Sequence, residues 1–95
     1  MNMPIKIRVE QMTSPKSGRA VANQFIIHVD DVGTYFQSYS SIIACKDEEG
    51  NILIDPERWD WSRTTGKYRN EFLREGIQET RKKIKSGEYK LINLN

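Results

Sequence analysis

In the first half of the chain apolar residues recur at every second position, and after Pro56 they recur every third or fourth. Ile5, Ile7 and Val9 alternate with Lys6, Arg8 and Glu10, the period of a strand with one buried face. Residues 13–19 gather Thr13, Ser14, Pro15, Ser17 and Gly18 around Lys16 and Arg19 without an apolar period, which predicts an exposed loop. A second strand is predicted over 23–29, with Phe25, Ile27 and Val29 on one face and Gln24, Ile26 and His28 on the other. Asp30, Asp31, Val32 and Gly33 make the turn, and residues 34–39 return as a third strand. The apolar run 41–46 is the fourth. The acidic loop Asp47, Glu48, Glu49, Gly50 and Asn51 closes a hairpin onto Ile52, Leu53 and Ile54, which Pro56 ends.

The period then changes. Tyr68, Phe72 and Leu73 form a helical stripe that Ile77, Thr80 and Ile84 continue. Gly76 interrupts it, and an interior glycine costs about 1 kcal/mol relative to alanine, so the pattern predicts one kinked helix or two short ones. Ser86 and Gly87 stop the helical segment, and residues 88–94 read as a final strand. Strands clustered ahead of helices define an α+β fold, a mainly antiparallel, curved meander packed on the C-terminal helices and completed by that last strand. At 95 residues the chain is expected to be a single domain, 1–95.

Composition narrows the function classes. Fifteen cations against thirteen anions leave a formal charge of +2, too balanced to indicate nucleic-acid binding by itself. The single Cys45, beside Ile42, Ile43 and Ala44, excludes an internal disulfide framework and reads as a small buried hydrophobe. The start of the chain, Met1, Asn2, Met3, Pro4, Ile5 and Lys6, lacks a secretion-signal core, and no apolar run approaches the ~20 residues of a membrane span. The expectation is a cytoplasmic protein that does not enter a membrane. His28 is the only histidine, so neither a metal cluster nor a histidine-activated nucleophile has material to draw on; no catalytic set and no cofactor is expected. The acidic pairs at 30–31 and 47–49 fall in turns, where carboxylates solvate and bond the backbone. Thr64, Thr65, Gly66 and Lys67 are not a phosphate loop, because Trp61 stands where its first glycine is required and Tyr68 where a Ser or Thr is.

The stretch 59–73 concentrates what chemistry remains. Both tryptophans, Trp59 and Trp61, precede the capping types Ser62, Thr64 and Thr65, which place a helix start between 62 and 65. A helix N-terminus favours anions. Trp61, Ser62, Arg63, Thr64, Thr65, Lys67 and Tyr68 are therefore the candidate ligand site, with hydroxyls and cations for a phosphate and an aromatic ring for a base. The competing structural reading makes Ser62 or Thr65 a simple cap and pairs Arg63 with Asp60 or Glu57. A second candidate surface is the sheet side away from the helix stripe. Ile26, Tyr35, Tyr39 and Ile92 are expected there, and Tyr35, Gln37 and Tyr39 are the candidate partner surface for a protein or a second copy in a homodimer.

The 59–73 run resembles a family of small uncharacterised proteins carried by bacteriophages and other mobile elements of Firmicutes-type bacteria. The likeness takes in Ala22, Asn23, Gln24 and Phe25, the segment 34–39, and Lys82, Lys83, Ile84, Lys85, Ser86, Gly87, Glu88 and Tyr89, covering about residue 13 to the C-terminus. This chain departs from it at Trp61, where tyrosine is expected, and at Val32, inserted into what is otherwise a tighter turn. The resemblance implies an accessory protein that binds, rather than catalyses, and that counters host defence. Its partner would be a defence protein such as a CRISPR nuclease, or the nucleotide signal of host immunity. The alternative is a small nucleic-acid-binding protein using Arg63, Lys67, Arg69 and the basic run Arg81, Lys82, Lys83 and Lys85.

Overall fold

The computed structural model describes residues 4–95. Met1, Asn2 and Met3, part of the stretch read above for a secretion signal, lie outside the described residues. The elements follow in the order β1 (Ile7–Thr13), β2 (Ala20–Val29), β3 (Gly33–Ser38), β4 (Ser41–Asp47), β5 (Ile52–Ile54), α1 (Arg63–Leu73), α2 (Ile77–Ser86) and β6 (Lys90–Leu91). All six strands form one sheet in chain order, antiparallel from β1 to β5, with β6 parallel to β5. A parallel neighbour requires a crossover of a dozen or more residues, and the two helices supply it. The α+β architecture expected from the pattern is the observed one.

Several boundaries differ. β1 extends through Thr13, and β2 starts at Ala20, so the exposed loop is shorter than 13–19. The final strand is two residues, not 88–94, because β5 offers it only Leu53 and Ile54 as partners. Tyr39 leaves β3 for the turn, where it adopts the left-handed conformation (φ 56°). The helical segment is two helices, and the break falls at Arg74 rather than at the glycine. Arg74 takes the left-handed conformation (φ 58°), its N–H caps the Asn70 carbonyl, and Gly76 is the extended N-cap of α2. Gly33 is required for two reasons: its φ is 149°, and a Cβ there would overlap the Lys46 carbonyl oxygen.

Register decides the faces. Ile26, Phe36, Ala44 and Ile54 lie abreast across β2 to β5 and face the helices. Ile26 thus packs against the core, contrary to its expected place on the far face. A bulge at Phe36 and Gln37 leaves Ile43 as an extra residue between their partners, and Ile43 is buried with Ala44 and Cys45 in an uninterrupted run. From α1, Tyr68, Phe72 and Leu73 close the core, Phe72 stacking on Phe36 with ring centroids 5.8 Å apart.

Two carboxylates fasten the crossover. Glu75, between the helices, accepts hydrogen bonds from Thr80 Oγ1 (2.6 Å), Lys83 Nζ (2.9 Å) and the Tyr89 hydroxyl (2.7 Å), so one side chain ties α1, α2 and the approach to β6. Asp55, at the end of β5, accepts from the amides of Glu57 and Arg58 with one oxygen and from Leu94 N and Asn95 Nδ2 with the other. Burial by itself would raise the Glu75 pKa, but the three donors and the Lys83 charge outweigh it and hold the carboxyl below its ordinary value. Tyr89 is pushed up to about 12, first by burial and then by its bond to Glu75.

Two outcomes follow from this packing. Phe72→Ala should lower unfolding free energy in urea by about 3 to 5 kcal/mol, a large part of what so small a domain has; a loss under about 1 kcal/mol would contradict the core assignment. For Glu75 the folded pKa lies below the unfolded one, so its stabilisation is complete above the ordinary glutamate range and is lost as pH falls through the folded value. Glu75→Gln should therefore flatten the acid limb of stability against pH, leaving the part due to Asp55, whose carboxyl is likewise depressed. An unaltered acid slope in the variant would rule out this role.

Candidate functional site at the start of the first helix

Ser62 is the N-cap of α1: its extended backbone (φ −153°) ends the preceding loop, and its Oγ accepts the Thr65 amide at 3.1 Å. The same hydroxyl donates to Thr65 Oγ1 at 3.0 Å, and Thr65 Oγ1 meets Ser38 Oγ at 2.8 Å. Thr65 and Ser38 are fully buried, so this chain of hydroxyls anchors the first turn of α1 to the end of β3. Thr65 is therefore a core group with no hydroxyl to offer a ligand. Tyr68 belongs to the core as well, at 4 % exposure, and its ring is covered by Lys67 Nζ at 5.5 Å from the centroid.

The remaining candidates stay outside. Trp61 is 67 % exposed, Arg63 and Lys67 are exposed, and Thr64 is half-buried. Among the described residues neither Arg63 nor Lys67 joins an ion pair, because Asp60 is engaged by Arg69 and Arg81 and Glu57 by Arg58. The pairing of Arg63 with Asp60 or Glu57 weighed from the sequence is thus absent. A shallow groove of about 550 Å³ runs beside α1, lined by Asp60, Ser62, Arg63, Lys67, Arg69 and Ile77 among others. A larger hollow of about 780 Å³ lies by the far end of α1, but its Lys46 and Arg74 are offset by Glu10 and Glu71, so the cationic groove is the better anion site.

Arg69 supports the groove from below. Its side chain is 1 % exposed; Nη1 donates to the Trp59 carbonyl (2.7 Å) and contacts Asp60 Oδ1 (3.4 Å), while Nη2 donates to Asn70 Oδ1 (2.9 Å). The guanidinium also lies over the Trp59 ring at 5.1 Å. Burial lowers its pKa and the Asp60 bond opposes this; a guanidinium stays charged throughout. Arg69 thus holds the Trp59 to Trp61 segment against α1 and is not free to contact a nucleic acid. Its position three residues before Phe72 and four after Thr65, on the buried stripe, is the sequence signal that separates it from Arg63 and Lys67. Lys83 is likewise committed, to Glu75.

The second candidate surface divides. Tyr35 lies on the sheet face away from the helices, between Ile27 and Cys45. Gln37 shares that face but spends its amide on the Tyr39 carbonyl (2.7 Å), and Tyr39 projects from the turn. Burial raises the pKa of both the Tyr35 hydroxyl and the Cys45 thiol. Among the described residues no group of three or more His, Cys, Asp or Glu side chains is placed to hold a metal, and no helix is long and apolar enough to cross a membrane.

The architecture so described is a small α+β protein, a six-stranded open sheet with its helices on one side and a cationic groove at the first helix start. The chain belongs to a family of unknown function, DUF8033, whose model matches residues 7–89, from the start of β1 to the buried Tyr89. No curated protein and no solved structure matches the chain.

Arg69→Ala should lower stability by roughly 3 kcal/mol, because it leaves the Trp59 carbonyl and Asn70 without their donor and Asp60 without its buried partner. In a Trp61→Phe background, Trp59 fluorescence should shift to the red as the ring loses its cover. An unshifted emission maximum would show that Arg69 does not hold that segment.

Proposed function

We propose that this protein binds rather than catalyses, and that its helical layer is the contact surface for a polyanion, with nucleic acid as the occupant. The observation that carries the reading is charge segregation. Residues 63–86 hold eight lysines and arginines against Glu71, Glu75 and Glu79, a net +5, in a chain whose total is +2, so the sheet and its loops are net acidic. Arg69 and Lys83 are spent internally, while Arg63, Lys67, Arg74, Arg81, Lys82 and Lys85 are exposed. Trp61, exposed two residues before Arg63 and outside the groove lining, offers a ring on which an unpaired base can stack, and cations with an exposed aromatic are what single-strand binders use.

The motif resemblance to mobile-element proteins favours a second reading in the same class: in the cytoplasm of a host cell the protein counters defence, by occupying a defence protein such as a CRISPR nuclease or by sequestering an immune nucleotide signal. The exposed cations and Trp61 would serve either target.

Isothermal titration against single-stranded DNA and RNA, a duplex, cyclic and linear nucleotides and a CRISPR nuclease decides between them. For nucleic acid, binding should weaken in proportion to the number of phosphates neutralised, with log K falling linearly against log salt. Arg63→Ala with Lys67→Ala should reduce affinity at least tenfold and lower that slope by roughly 0.7 to 0.9 for each phosphate that the variant no longer neutralises. Tight, salt-insensitive binding to the nuclease or a nucleotide alone selects the second reading, and variants that match wild type on every target reject the helical surface.

A further inference from the structure

The alternation in β1 and β2 is aimed at the side of the sheet that no helix covers. Ladder partners share a face, so Val9, Ile27, Tyr35, Cys45 and Leu53 form one row across five strands on the side away from the helices. Cys45 is already buried within that row; Ile7 and Val29 flank the row on one side with Gly33 and Asp47, and Phe25 and Ile42 on the other with Gln11 and Gln37. On the helix side the row beside the apolar one of Ile26, Phe36, Ala44 and Ile54 is polar over four strands, Arg8, His28, Thr34 and Lys46, before it ends in Ile52. An antiparallel sheet with one wet face normally turns its polar residues toward water. Here β1 and β2 do the reverse, leaving Ile7 61 % and Val9 60 % exposed.

We infer that this face is the interface of a symmetric homodimer, two copies packed sheet to sheet with their helical layers outward. Two properties select a second copy over another occupant. Among the described residues the face carries charge only at Asp47, at the end of β4, and Lys90, on the β6 edge, so the apolar row from β1 to β5 packs on its copy with no charge to desolvate. It is also large enough. Its positions on β1 to β4, three on each strand, and Leu53 on β5, each about 4.8 by 7 Å, present roughly 440 Å² on each copy, together about 900 Å², the size of a weak, concentration-dependent dimer. Lys90 at the β6 edge is its one cation among the described residues, too few for a polyanion, which keeps this surface separate from the helical one.

Sedimentation equilibrium across about 5 µM to about 500 µM chain should show a monomer–dimer equilibrium in which the dimer dominates at the upper end. Val9→Lys puts a charge into the apolar row of each copy, where packing would strip it of water without a partner, and should weaken dimerisation at least about 100-fold. The side chain is already exposed, and unchanged far-UV circular dichroism confirms that folding is retained; should Val9→Lys fail to fold, Ile7→Lys makes the same test. In a mixture of labelled and unlabelled chains, isotope-filtered NMR should give intermolecular contacts among Val9, Ile27 and Tyr35 and none to Lys82 or Lys85. A monomer at every concentration overturns the inference, whatever else then covers the face. So does a dimer that resists the lysine substitutions, or one whose contacts are confined to the β1 edge or the helices.

Discussion

Because β6 lies parallel beside β5, the chain between them must cross over the sheet, and it carries both helices to the same side. Most of the structure follows from that constraint. The helices bury the row Ile26, Phe36, Ala44 and Ile54, and the opposite row is left to water or to a partner. How α1 seats on the sheet is then fixed by two contacts, the Phe72 ring on Phe36 and the buried hydroxyl chain from Ser38 through Thr65 to Ser62. The second sets the height of the helix start, since a cap bonded into the core cannot slide.

Small cores gain little from apolar burial alone, and this one adds hydrogen-bonded polar junctions. Glu75 receives three donors and Asp55 four, so neither carboxylate is left with an unmet desolvation cost. Both sit where elements meet: Glu75 at the turn between helices, Asp55 where β5 leaves the sheet. Arg69 acts similarly for the loop between β5 and α1, its planar fork reaching a carbonyl, a carboxylate and an amide oxygen that a lysine could not serve together. These three groups make the crossover a braced unit and leave Trp61, Arg63 and Lys67 on its outer surface.

The proposed binding surface and the proposed dimer face are complementary in chemistry as well as position. Net positive charge is carried by the helical segment 63–86, while the uncovered sheet face holds only Asp47 and Lys90 among the described residues. A sheet-to-sheet dimer would therefore display two basic helical layers pointing in opposite directions, each with its own groove.

Much of the fold was legible in the residues because strand and helix periods are local properties. Alternation located five strands to within a few residues, the stripe Tyr68, Phe72 and Leu73 marked the buried helix face, and Ser62 announced the helix start. The candidate site was legible only as a list of residue types. Which members point outward depends on the rotation of α1 about its axis, and packing against Phe36 and Ser38 sets that rotation. Hence Thr65 and Tyr68 went to the core and Arg69 under the loop, while Arg63 and Lys67 stayed free. Tertiary structure also decided what no local pattern contains. It placed Ile26 with the helices and turned the best strand alternation toward the uncovered face, because a period of two says that the faces differ but not which one the helices will cover.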